Sequence, residues 1–96
     1  MSEASPTASV PPPHSWRVGH EGKDDLYYEE WIDGGWKRLL VSGELSLGPT
    51  HHLVFVDSES SWQQYKPAWA RDRRAEIIAR IKRSCPEPRY EYIDLP

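Results

Sequence analysis

The chain has one cysteine (Cys85), one methionine and one phenylalanine among 96 residues. A single cysteine excludes an internal disulfide, a two-cysteine redox motif and a cysteine-built zinc site. No apolar run approaches the roughly 20 residues that a membrane-spanning helix needs, and the mean hydropathy is −0.76. Residues 1–15 lack the basic cluster and apolar stretch of a secretory signal. The expectation is therefore a cytoplasmic protein with no membrane association. HExxH, EF-hand, GxSxG and phosphate-cradling glycine patterns are all missing from the sequence. Neither a metal nor a cofactor is expected.

What is present is unevenly spread. Four of the nine prolines fall within the first thirteen residues. Residues 1–15 are rich in Ser, Pro, Ala and Thr without periodicity, which predicts a disordered tail. Pro11-Pro12-Pro13 should be locally extended as polyproline II. Residues 16–96 are expected to form a single α+β domain, near the size at which a core alone is barely sufficient. The net charge of −3 hides an asymmetry. Residues 1–65 hold four Lys and Arg against ten Asp and Glu, whereas residues 66–96 hold eight against five.

The clearest local signal is residues 26–41. Asp33-Gly34 stands between two strand-like runs, and a two-residue type I′ turn needs positive φ at both positions. That turn sets Trp31 opposite Trp36, Glu30 opposite Lys37, Glu29 opposite Arg38, Tyr28 opposite Leu39 and Tyr27 opposite Leu40. Two ion pairs and an aromatic pair then arise from one assumption. Trp16-Arg17-Val18 can add a strand before the hairpin. Residues 51–56 read as a central strand covered on both faces.

Ser60 and Ser61 each precede a glutamine by three residues, the spacing of a capping box. Pro67 fits a first helical turn, and residues 68–84 read as the main helix. Its apolar stripe is Ala70, Ile77, Ile78 and Ile81, with Glu76 and Arg80 as an i,i+4 pair. Residues 89–94 alternate and fit either a final edge strand or an extended tail. The predicted fold is a small antiparallel sheet of three to four strands, with one main helix packed on one face.

Catalytic constellations are not evident. His51 and His52 are adjacent on a strand and point to opposite faces, so they do not share an ion. Cys85 falls at a helix C-terminus, where the dipole disfavours a thiolate. Asp24-Asp25 reads as a turn, while Glu29 and Glu30 have hairpin partners. A cleft in which His20 or His51 met a carboxylate would be the mark of an enzyme, and without one a non-catalytic protein is expected.

The expected site is instead the hairpin. One face carries Tyr27, Trp31, Trp36 and Leu40 with Glu29 and Arg38. The other carries Leu26, Tyr28, Ile32, Leu39 and Val41 with Glu30 and Lys37. One helix covers one face, so if the aliphatic face meets it, Tyr27, Trp31 and Trp36 are left for water, for the segment around Trp16, or as anchors for another protein or for self-association. The competing reading is a Trp–Trp pair that only stabilises the hairpin or is roofed by the chain's own termini. Arg71 and Arg74 are expected as a second contact patch. The alternative is a small nucleic-acid-binding protein using the basic segment 66–83, against which stands an acidic pI of about 5.8.

Overall fold

The computed structural model describes residues 15–46, 48 and 51–96. The segment expected as a disordered tail, apart from Ser15, lies outside them. Asp33 and Gly34 have φ of 53° and 81°, the two left-handed positions of a type I′ turn. They join β2 (Asp25–Ile32) to β3 (Gly35–Val41). The register is the expected one, from Ile32 opposite Gly35 through Trp31–Trp36 and Glu29–Arg38 to Tyr27–Leu40. The short run from Trp16 extends into a full strand, β1 (Trp16–Glu21), antiparallel to β2, so the sheet order is β1-β2-β3.

A second sheet follows directly. β4 (Gly43–Leu45) pairs antiparallel with β5 (His52–Val56), and β6 (Tyr90–Asp94) lies on the other side of β5. Only Ser42 separates β3 from β4, and its carbonyl accepts from the Phe55 N–H at 2.9 Å, which ties the two sheets together. A Cβ at Gly43 would sit 2.5 Å from the Asp24 carbonyl oxygen and 2.9 Å from that of Leu53. Glycine is what lets the chain pass there.

The alternating segment near the C-terminus is a strand, but it runs parallel to β5 rather than antiparallel. The cause is the helical connection between them, which returns the chain to the start of β5 as parallel pairing requires. That connection comprises α1 (Glu59–Tyr65), a 3-10 segment (Ala68–Arg73) and α2 (Arg74–Ser84). The main helix is thus tightened over its first turns. The cap of α1 also differs from expectation. Ser58, not Ser60 or Ser61, precedes the helix, and its hydroxyl accepts from the Ser61 N–H at 3.2 Å.

The core lies between the sheets and the helices. Leu26, Tyr28, Leu39 and Val41 from the first sheet meet Val54 and Val56 from the second, together with Trp62, Ala70, Ile77, Ile78, Ile81 and Cys85. The predicted helix stripe is therefore the buried one, and the aliphatic face of the hairpin is the one it covers. β5 is central in its sheet but not covered on both sides. His52, Val54 and Val56 are buried, while Leu53 and Phe55 are only half-buried.

Candidate functional site: the outer face of the hairpin

The face of the first sheet turned away from the core carries Arg17 and Gly19 from β1, Tyr27, Glu29 and Trp31 from β2, and Trp36, Arg38 and Leu40 from β3. Trp31 and Trp36 occupy a directly opposed cross-strand pair, where side chains approach closely. Their rings meet edge to face at 81°, with centroids 5.5 Å apart. Arg17 reaches across β2 and lies over the Trp36 ring, 3.9 Å from its centroid. Arg38 lies over Tyr27 at the same distance.

Glu29 joins these two stacks. Its carboxylate accepts from Arg17 Nε at 2.6 Å and from Arg38 Nε at 2.8 Å, and Arg38 also bonds Glu21. Although no helix among the described residues roofs it, Glu29 is only 6% exposed, because the two guanidinium groups and their aromatic partners enclose it. Burial alone would raise its carboxyl pKa, but the two arginine hydrogen bonds outweigh that and hold it below its ordinary value. Tyr27 lies across Gly19, where a Cβ would come within 2.5 Å of the ring. Gly19, Tyr27, Arg38, Glu29, Arg17, Trp36 and Trp31 form one continuous chain of contacts.

Two members of this chain, Arg17 and Gly19, escaped the sequence reading. The signal was the strand-like run beginning at Trp16. A full antiparallel pairing of that run with β2 sets Arg17 opposite Glu29 and Gly19 opposite Tyr27.

The inner face holds a different charged cluster. The expected Glu30–Lys37 pair is cross-strand in register only, since the Glu30 carboxylate turns to the helical segment. Arg73 grips it through two nitrogens, each at 2.9 Å, while Tyr28 donates to it at 2.5 Å and Arg80 stands at 3.3 Å. Burial, aided by the bond to Glu30, pushes the Tyr28 hydroxyl up to about 12. Trp16, Tyr28 and Trp69 stack in a row beside it, with centroids 6.3 Å apart at each step. This cluster locks hairpin to helix.

Arg71 and Arg74 are not brought to the aromatic face. Arg71 Nε donates to the Lys66 carbonyl at 3.0 Å and Arg74 Nε to the Asp57 carbonyl at 2.9 Å. Both sit on the helical segment that packs against the opposite side of the sheet. Other cations of 66–83 are engaged as well. Lys66 bonds the Leu40 carbonyl and pairs with Asp57, and Arg73 and Arg80 serve Glu30 and Glu76.

The histidines divide as strand geometry requires, with His52 buried and His51 exposed. His52 Nε2 lies 2.6 Å from the Asp24 carbonyl, and His20 Nε2 lies 2.9 Å from the Tyr90 hydroxyl. The two imidazoles meet at 5.2 Å between the sheets. Desolvation, with the neighbouring His52, lowers the His20 pKa. Among the described residues the polar partner of His20 is thus a tyrosine and not a carboxylate. Cys85 is buried, and that burial raises its thiol pKa, the opposite of what a nucleophile needs. Among the described residues no three His, Cys, Asp or Glu side chains gather in a metal-binding group, and no helix is long and apolar enough to cross a membrane.

No family model, curated protein or solved structure matches this chain.

Proposed function

We propose that the protein is a non-catalytic binding module of the cytoplasm that docks another protein on the outer face of its hairpin. Tyr27, Trp31 and Trp36 act as anchors, and Arg17, Arg38 and Glu21 form the charged rim. The observation that carries this reading is the ordering of a half-buried aromatic surface, covered among the described residues by its own arginines alone, through its own ion pairs. Rings already held by guanidinium groups lose little rotamer freedom on binding, which favours affinity. Aromatic and arginine side chains are also the types enriched at the energetic centres of interfaces. The cytoplasmic placement rests on the lone, buried cysteine.

The nucleic-acid reading draws less support. Phosphate binding needs cations free to neutralise it, and Lys66, Arg73, Arg74 and Arg80 are committed to internal acceptors. Arg71 and Arg74 thus read as parts of the fold rather than as a second patch.

The test is an affinity capture from native lysate, divided into nuclease-treated and untreated halves. The proposal expects the same protein in both halves, retained as salt rises. Capture that vanishes with nuclease, or falls steeply with salt, overturns it and moves the site to 66–83.

A further inference from the structure

We infer that the outer edge of β1 is a self-pairing surface, on which a second copy of this chain adds its own β1, antiparallel and centred on Gly19. This goes beyond docking on the outer face and does not rest on it. β1 ends its sheet and pairs on one side only. The Trp31 N–H donates to the carbonyl of Ser15 at 2.7 Å. Hydrogen-bonded pairs alternate along an antiparallel ladder, so residues 15, 17, 19 and 21 turn their main-chain groups to β2. Those of Trp16, Val18 and His20 point away from the sheet and meet no partner among the described residues. Such an edge is a template for another strand.

Charge and shape select the register. Two-fold centres at Val18 and Gly19 each pair five residues of β1 while keeping the outward groups in hydrogen-bonded positions. Centred on Val18, Arg17 would run into the Tyr27 ring that covers Gly19 of the other copy. Centred on Gly19, Val18 bonds His20 of the second copy, and Arg17 stands opposite its Glu21, twice over. These are non-hydrogen-bonded positions, where side chains come closest. Both residues have capacity to spare. Arg17 commits Nε to Glu29 and Glu21 commits Oε1 to Arg38, while their side chains remain 52% and 49% exposed.

The opposite edge of the sheet is guarded. In β3 the outward groups are those of Trp36, Arg38 and Leu40, and Lys66 Nζ holds the Leu40 carbonyl at 2.9 Å. A centre at Lys37 or Arg38 sets like charges against each other, and a centre at Leu39 needs the carbonyl that Lys66 holds. With one self-complementary edge, assembly closes at two chains. A five-residue ladder is smaller than the roughly 1,200 Å² at which stable interfaces begin, so the dimer should come apart on dilution.

The experiment is sedimentation equilibrium of the full chain over a concentration series, with isotope-filtered NOEs from a mixture of labelled and unlabelled chains. The proposal expects the mass to rise from 11.1 kDa to twice that and no further. It also expects a contact between the α-protons of Arg17 in one copy and Glu21 in the other. Val18→Pro removes an outward N–H that the fold does not use and should abolish the dimer. Glu21→Lys, at an exposed position, should weaken it about tenfold or more, and carries the test if the proline variant fails to fold. A single-chain mass at millimolar concentration, growth beyond two chains, or intermolecular contacts from another strand overturns the proposal. So does a folded Val18→Pro or Glu21→Lys that dimerises like the parent.

Discussion

Tyr27 lies across Gly19 so closely that a Cβ on that glycine would stand 2.5 Å from the ring. The ring is in turn the bed for Arg38, whose Nε holds Glu29. Gly19→Ala should push the ring aside rather than shift the backbone. The expected destabilisation is about 1 kcal/mol, read as a lowered urea midpoint. Tyr27→Leu should remove the sensitivity to Gly19→Ala.

The inner charged cluster should be far more sensitive than the exposed end of the helix. Arg73→Ala strips two hydrogen bonds from a mostly buried carboxylate, Glu30, and should cost about 2–3 kcal/mol. Arg83→Ala, on the exposed side of α2, should change stability by less than about 0.5 kcal/mol. Chemical denaturation of the two variants checks the contrast.

Much of the hairpin was legible because Asp33-Gly34 admits few backbones, and one turn sets every pair outward from it. What was not legible was long-range. Glu30 faces Lys37 in register, yet Arg73 stands 43 positions away and wins by approaching from the core side. The direction of β6 depends on where three helical segments return the chain, and local alternation carries no information about that. Ser58 prevailed over Ser60 and Ser61 because a cap is decided by where the helix starts, and all three serines are chemically competent. On the candidate face, Tyr27, Trp31 and Trp36 were readable as neighbours, but their ordering by Arg17 depended on a strand pairing seen only in the fold. Arg71 and Arg74 were singled out by charge density, which says nothing about the carbonyls they meet.

Stability should fall with acid in two stages. His20 has its pKa lowered from 6.5 in the folded chain, so the unfolded chain binds more protons as pH drops below 6.5. The contribution is intact above that pH and erodes beneath it. His20→Gln should flatten the stability profile between neutrality and the point where carboxylates titrate.

The second stage belongs to Glu29 and Glu30. Both are held below 4.5 by their arginine bonds, against the opposing effect of burial. Their stabilisation is complete above 4.5 and is lost as pH falls through their folded values. Glu29→Gln should shrink this loss at low pH while lowering stability at neutral pH. Thermal melts across the acid range separate the two stages.

The most direct measurement of the central claim is partner retention by the double variant Trp31→Ala/Trp36→Ala, paired with a thermal melt of the same sample. The account predicts a folded domain, weakened by the loss of an aromatic pair and of the Arg17 stack, that no longer holds its partner, while Arg71→Ala/Arg74→Ala retains it. A double tryptophan variant that fails to fold would make the pair structural. One that folds and binds undiminished would contradict the outer face as the site.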